Sequence, residues 1–119
     1  VAKVREYYGS VTKEDMTDSI RVNITVPNIP DEKDEVLLRI GTDKIREYGN
    51  YRFKLNGKKY VINWRNVPNE RYNSWNYESG YIEIPIDKKY IEKENELLLE
   101  PLSDNIMMFT SIVYKSIKN

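Results

Sequence analysis

The chain has 119 residues, balances 19 Lys and Arg residues against 19 Asp and Glu residues, and contains neither histidine nor cysteine. Disulfides, Cys/His zinc sites, thiolate nucleophiles and the usual general base near neutral pH are therefore excluded. The zero net charge argues against a general nucleic-acid binder, which needs a basic excess, and no apolar run approaches the roughly 20 residues of a membrane span. We expect one non-catalytic domain over residues 1–119, with no nucleic-acid partner and no membrane insertion.

The N-terminal third contains one clear strand. Residues 1–19 are ambiguous, because residues 4–8 fit a short strand whereas residues 12–15 resemble a capped helical turn. Apolar and polar residues then alternate over residues 20–26, which predicts a half-buried strand that ends at a proline. The charged run over residues 31–35 predicts a solvated turn.

An Asn-Gly pair joins the strands of the clearest predicted hairpin. After an apolar strand over residues 36–40, residues 51–64 alternate on both sides of Asn56-Gly57, the pair that best tolerates the positive φ angles of a type I′ turn. The register of such a turn places these side chains on one face: Tyr51, Phe53, Leu55, Tyr60, Ile62 and Trp64. The other face carries Arg52, Lys54, Lys59, Val61 and Asn63. One apolar face and one wet face indicate a sheet packed on a second sheet.

Three cations lie together on the wet face of this hairpin. Lys54 and Lys59 are opposite each other in the predicted register, which carries a mild like-charge cost. With Arg52 they form a candidate ligand-facing surface, which we call the basic strip. A solvated face that protects the sheet edge is the simpler interpretation.

The C-terminal half continues as strands. Residues 65–80 have no clean period and are rich in Asn, Arg and aromatic residues, whereas residues 81–86 alternate again. That alternation divides the side chains into two faces, with Ile82, Ile84 and Ile86 inward and Tyr81 and Glu83 outward. Residues 96–100 and 106–117 complete a set of short strands without a long helix, which predicts an all-β, antiparallel β-sandwich.

The order and spacing of four segments resemble those of the galactose-binding-like jelly-roll domains, which are accessory modules of polysaccharide-degrading enzymes. Residues 51–59 resemble the family's strand with an Asn-Gly hairpin, and residues 81–91 its apolar strand followed by Pro and a short turn. Residues 94–99 resemble the entry to the next strand, with Glu94 where the family prefers Gly, and residues 105–112 the last core strand. The resemblance implies a jelly-roll sandwich with no catalytic motif.

The same resemblance raises the questions of a structural metal ion and of a sugar ligand. Some family members hold a structural Ca²⁺ near the chain ends, and Glu14, Asp15 and Asp18 could supply carboxylate oxygens for such an ion. Clustered acids are also ordinary on protein surfaces, so no metal or cofactor is predicted. The family's ligand loops vary, and members that bind no sugar brace a neighbouring domain, so the resemblance transfers no binding residue.

The binding candidate from the residues themselves is the loop over residues 65–78. Sugars present an apolar C–H face and a ring of hydroxyls, so their sites combine an aromatic platform with planar polar groups. Trp75, flanked by Tyr72 and Tyr77, is the predicted platform. The predicted hydrogen-bonding groups are Arg71, Asn73, Asn76 and Glu78. In the alternative interpretation Trp75 is a plug over the end of the core, like Trp64 on the buried face of the hairpin.

The predicted function is that of a non-catalytic carbohydrate-binding or accessory module of a larger secreted or cell-surface protein. Its expected partner is a glycan or a neighbouring domain of the parent protein. The alternative is a structural or protein-interaction β-sandwich without a sugar ligand. The two differ in whether Trp75 is exposed, with unpaired polar neighbours, or buried.

Overall fold

Two antiparallel β-sheets pack face to face in the computed structural model, which describes residues 2–13, 20–42, 50–63, 67–68, 71–74, 80–100 and 107–117. The strands are β1 (Ala2–Tyr8), β2 (Ser10–Lys13), β3 (Ile20–Thr25), β4 (Asp34–Thr42), β5 (Asn50–Leu55), β6 (Lys58–Asn63), β7 (Tyr72–Ser74), β8 (Gly80–Pro85), β9 (Glu94–Leu99) and β10 (Met107–Ile117). One turn of 3-10 helix, Lys88–Tyr90, precedes β9. The prediction of an all-β antiparallel sandwich is confirmed.

Each sheet has five described strands. Sheet A has the order β1-β10-β4-β8-β7, and sheet B has the order β2-β3-β9-β5-β6. The predicted strand over residues 4–8 is confirmed, because β1 pairs with β10 along its whole length. The helical turn predicted from residue 12 is wrong for residues 12 and 13, which belong to β2. Pairing with β3 satisfies the main-chain groups that a helical turn would otherwise have satisfied.

The core lies between the sheets and follows the alternation of the strands. Every second residue of β3 from Val22 is buried, and the inward isoleucines of β8 are buried as predicted. Core residues contributed by the two sheets include Val22, Ile24, Leu38, Ile40, Phe53, Leu55, Ile82, Ile84, Leu97, Leu99 and Ile112. Burial of each such side chain away from water contributes about 1.5–3 kcal/mol to the free energy of folding.

The Asn-Gly hairpin forms in the predicted register. Asn56 and Gly57 have φ angles of 49° and 84°, and Lys54 lies opposite Lys59. The Asn56 amide also reaches beyond the turn: it donates to the Tyr90 carbonyl at 2.7 Å and accepts from the Glu96 N–H at 2.9 Å. The turn is therefore tied to the segment that leads into β9. Trp64, which is predicted to lie in the core, is outside the described residues.

The charged run over residues 31–35 is exposed as predicted except at Asp34, where the prediction is wrong. Asp34 begins β4 and is 5% exposed. One of its carboxylate oxygens accepts from the Arg5 guanidinium at 2.6 Å, and the other accepts from the Asp31 N–H at 3.0 Å. An ion pair with β1 and a turn-closing hydrogen bond thus compensate its burial.

A short strand lies within the segment that has no clean sequence period. Tyr72–Ser74 forms β7 at the edge of sheet A and pairs with β8. A three-residue edge strand is too short to produce a recognisable alternation, so the prediction of a continuous loop was wrong at these positions. Within the described ranges, no helix has the length and apolar character needed to cross a membrane.

Candidate functional site

The outer face of sheet A brings together aromatic and charged side chains from strands far apart in sequence. Residues opposite each other in an antiparallel pair share a face. One row across the sheet consists of Tyr8, Ser111, Arg39 and Glu83. The neighbouring row consists of Phe109, Gly41, Tyr81 and Asn73. We call the three rings of Tyr8, Phe109 and Tyr81 the aromatic face.

Phe109 is the central ring of the aromatic face. Its ring centroid lies 5.8 Å from that of Tyr8 and 5.9 Å from that of Tyr81, with edge-to-face angles of 61° and 68°. The Phe109 ring lies over Gly41 of β4, where a Cβ atom would approach the ring to 2.4 Å. The absence of a side chain at Gly41 is therefore what allows the ring to lie there. Tyr8 is 63% exposed, whereas Phe109 and Tyr81 are half-buried, so the aromatic face is open to solvent at Tyr8 and partly covered at the other two rings.

An ion-pair network lies beside the rings. The Arg39 guanidinium donates to Glu6 and to Glu83 at 2.9 Å each, and Lys115 donates to the second oxygen of Glu83 at 3.0 Å. Glu6 also accepts from the Ser111 hydroxyl at 2.5 Å. The side chains of Arg39 and Glu83 are 15% and 8% exposed, so this network is largely desolvated. Because each carboxylate has at least two donors, the network fixes the groups around the rings.

The network keeps Glu83 and Arg39 in their ordinary charge states. Burial alone would raise the pKa of the Glu83 carboxyl, but hydrogen bonds from Arg39 and Lys115 outweigh it and lower the pKa. Burial would lower the pKa of the Arg39 guanidinium, yet its bond to Glu83 and the charge of Glu6 raise it. The charge of Glu6, followed by burial, raises the pKa of the Tyr8 hydroxyl. At neutral pH, Glu83 is ionised, Arg39 is protonated and Tyr8 is neutral.

Tyr81 connects the network to the edge of the sheet. The Arg39 guanidinium lies over the Tyr81 ring, 4.8 Å from its centroid, and the Asn73 amide donates to the Tyr81 hydroxyl at 3.0 Å. Asn73 is exposed on β7. The aromatic face therefore reaches β7, which lies within the predicted binding loop over residues 65–78.

The residues predicted to form the binding loop are only partly described. Asn73 contacts the aromatic face, as above. The Arg71 guanidinium instead pairs with Glu35 at 2.9 Å, and Tyr72 pairs with Ile82 in the register of β7 and β8. Trp75, Asn76, Tyr77 and Glu78 lie outside the described residues, so their role stays a prediction.

The sequence did not reveal the aromatic face as a site. Tyr81 was predicted to face outward, but Tyr8 lay in an ambiguous region and Phe109 in a segment assigned to the last core strand. The available signal was the alternation in residues 4–8, which puts Glu6 and Tyr8 on one face. Glu14, Asp15 and Asp18 lie outside the described residues, and the described ones contain no group of three acids that could hold a metal ion.

Comparison with known proteins identifies the fold at low sequence identity. No family model and no curated protein matches the chain. Among solved structures, it is similar to BuGH86, both wild type and variant, in complex with neoagarooctaose. Each match has a TM-score of 0.63 and 19% identity and covers 95% of this chain, but 18% and 19% of the BuGH86 chains. The chain thus spans less than a fifth of BuGH86.

A second solved structure is more distant. It is CBM28, a carbohydrate-binding module specific for non-crystalline cellulose, which has 16% identity and a TM-score of 0.41. That match covers 95% of this chain and 70% of the module.

Proposed function

We propose that this chain is a non-catalytic carbohydrate-binding module and that its aromatic face contacts the glycan. The observation that supports this most directly is the set of three rings, of which Tyr8 is exposed and Phe109 and Tyr81 are half-buried, beside a fixed array of charged donors and acceptors. Sugar rings pack their C–H faces on aromatic rings, while their hydroxyls bond to polar groups of fixed geometry. At the edge of the sheet, the Tyr81 ring is the aromatic surface and the Asn73 amide is the polar group.

The predicted loop fits the same proposal. β7 lies within this loop, and its Asn73 donates to the Tyr81 hydroxyl of the aromatic face, so we include the predicted residues Trp75, Asn76, Tyr77 and Glu78 in the proposed site. Arg71, which pairs with Glu35, and Tyr72, which lies opposite the buried Ile82, are left out of it. The fold shared with part of BuGH86, a protein solved with a bound oligosaccharide, supports the choice of a glycan. The proposed module is of the galactose-binding-like jelly-roll type. Its proposed location is outside the cell or on the cell surface.

The charge states support a binding role over a catalytic one. Glycoside hydrolysis needs a carboxylic acid that stays protonated near neutral pH as the proton donor. On the aromatic face, Glu83 has a lowered pKa and two cationic partners, so it holds no proton to donate. The Glu83 carboxylate thus suits a role in orienting groups rather than transferring protons.

The proposal is tested by calorimetric titration and affinity electrophoresis with neoagaro-oligosaccharides, cello-oligosaccharides and their parent polysaccharides. Tyr81→Ala and Tyr8→Ala are expected to weaken binding about five- to tenfold each, since a lost stacking contact costs on the order of 1–1.5 kcal/mol. Tyr90→Ala is the matched control, because Tyr90 is an exposed tyrosine of the 3-10 turn. Trp75→Ala tests the loop separately. Unchanged binding in the Tyr8 and Tyr81 variants would refute the aromatic face as the site.

Docking to a neighbouring domain is the second candidate function. The matched region is 18% of the BuGH86 chain, which supports a module that works inside a longer protein. In that case the aromatic face would bind a protein surface, and no glycan of the panel would bind at millimolar concentration.

A further inference from the structure

The outer face of sheet B carries a row of cations that the proposed function leaves unused. The row crosses β6, β5, β9 and β3, which contribute Lys59, Lys54, Leu98 and Arg21 in that order. Neighbouring strands lie about 4.8 Å apart, so this row is about 14 Å long. Arg52 lies on the same face, two residues from Lys54 and about 7 Å along β5. The basic strip thus continues, past Leu98, to Arg21.

The positive charges of the basic strip are not paired with carboxylates of the described part of the chain. Among the described residues, none forms an ion pair or a side-chain hydrogen bond with Arg52, Lys54 or Lys59. The other described arginines each lie within 4 Å of a carboxylate: Arg5, Arg21, Arg39 and Arg71. Lys54 and Lys59 are held opposite each other by the hairpin register, and two like charges in that arrangement repel each other. An anionic partner would remove this repulsion.

A groove gives the strip a shape. A depression of about 310 Å³ is lined by the three cations together with Val61, Leu98 and Glu100 and parts of Phe53 and Tyr60. Val61 is 64% exposed and Leu98 is half-buried, so the groove offers apolar contact beside positive charge. Glu100 is the one acidic residue in this lining, against three cations. An extended chain with apolar faces and regularly placed anionic groups matches this combination.

We infer that this groove is a second binding surface, specific for an anionic polysaccharide with carboxylate or sulfate groups. The choice of a polysaccharide rests on the proposed function, whereas the preference for an anionic ligand follows from the charges of the strip. Nucleic acid fits less well, because the net charge of the chain is zero and the positive field is confined to one groove. The two surfaces lie on opposite faces of the sandwich, so the module would contact two glycan segments at once.

The test uses dextran sulfate and polygalacturonate as probes, with neutral dextran as the uncharged control, at 50 and 300 mM NaCl. The triple variant Arg52→Gln, Lys54→Gln, Lys59→Gln is compared with Lys3→Gln, Lys33→Gln, Lys93→Gln, which removes three exposed cations elsewhere. We expect binding of at least one anionic probe at low salt, and about tenfold or greater loss in the strip variant alone. The two probes distinguish sulfate from carboxylate recognition.

Three outcomes would overturn the inference: no binding of either anionic probe, equal loss in both triple variants, or equally tight binding of duplex DNA. The failure of this inference is distinguishable from that of the proposed function. Neutral-glycan binding that depends on Tyr81 and survives in the strip variant would leave the proposed function intact, whatever the anionic probes do.

Discussion

The ammonium of Lys88 donates a hydrogen bond to the main-chain carbonyl of Glu32 at 2.8 Å, across 56 positions of sequence. The same Nζ lies 2.9 Å from the carbonyl oxygen of Asp31 and 3.3 Å from that of Asp34. Three carbonyl oxygens of one turn therefore converge on a single side-chain cation. The arrangement ties the 3-10 turn before β9 to the start of β4, and it uses the full donor capacity of a lysine.

Replacing this lysine should loosen both segments. In Lys88→Met three carbonyl groups lose their shared donor, and we expect the free energy of unfolding to fall by about 1–2 kcal/mol. Lys89→Met is the matched control, because the Lys89 side chain is 69% exposed and pairs with Asp87 at 3.6 Å. Urea denaturation measures both variants, and equal losses would contradict a specific role for Lys88.

The Glu83 network should make stability depend on pH. Because the pKa of Glu83 is lowered in the folded state from 4.5, its contribution is complete above the unfolded pKa and is lost as pH falls through the folded pKa. Glu83→Gln should therefore cost about 2 kcal/mol at pH 7 and progressively less in acid. Denaturation from pH 7 to pH 3 tests this. Parallel curves for the wild type and the variant would refute it.

An exposed pair provides the control for that series. Arg21 and Glu96 lie 3.7 Å apart with side chains about half exposed, and such pairs contribute little because water screens them. Glu96→Gln should leave the free energy of unfolding at pH 7 within about 0.5 kcal/mol of that of the wild type.

Gly41 should be intolerant of even a methyl group. The added Cβ of Gly41→Ala would contact the Phe109 ring at 2.4 Å, and the rings of Tyr8 and Tyr81 restrict the movement of Phe109. We expect a loss of about 1–3 kcal/mol in stability. In a Phe109→Ala background the same substitution should cost much less, and a double-mutant cycle measures the difference. Additive losses would show that the ring is not the obstacle.

The hairpin turn offers a graded series. Asn56→Ala removes hydrogen bonds to Tyr90, Asn95 and Glu96 and places alanine at positive φ, so we expect a loss of about 2–3 kcal/mol. Gly57→Ala meets no atom within 4 Å but keeps a φ of 84°, which should cost about 1 kcal/mol. Thermal denaturation ranks the two. A larger loss at Gly57 than at Asn56 would contradict the bracing role of the amide.

The contrast between the hairpin and the aromatic face shows what sequence reasoning can reach. The hairpin register depends on Asn56, Gly57 and the residues beside them, so local chemistry predicts it. The aromatic face depends on Tyr8 lying opposite Ser111, a pairing across 103 positions that no local pattern encodes. Asp34 shows the same limit, because its ion pair with Arg5 joins residues 29 positions apart, which the charged run around Asp34 does not reveal.

The pairing of β1 with β10 has a consequence for protein engineering. Ala2 lies opposite Ile117 at the edge region of sheet A, so the first and last described residues are about 5 Å apart. A linker of a few glycines could join them without distorting either sheet. The same sandwich could then be circularly permuted, or inserted as a unit into a surface loop of an unrelated host, with both connections leaving from one place.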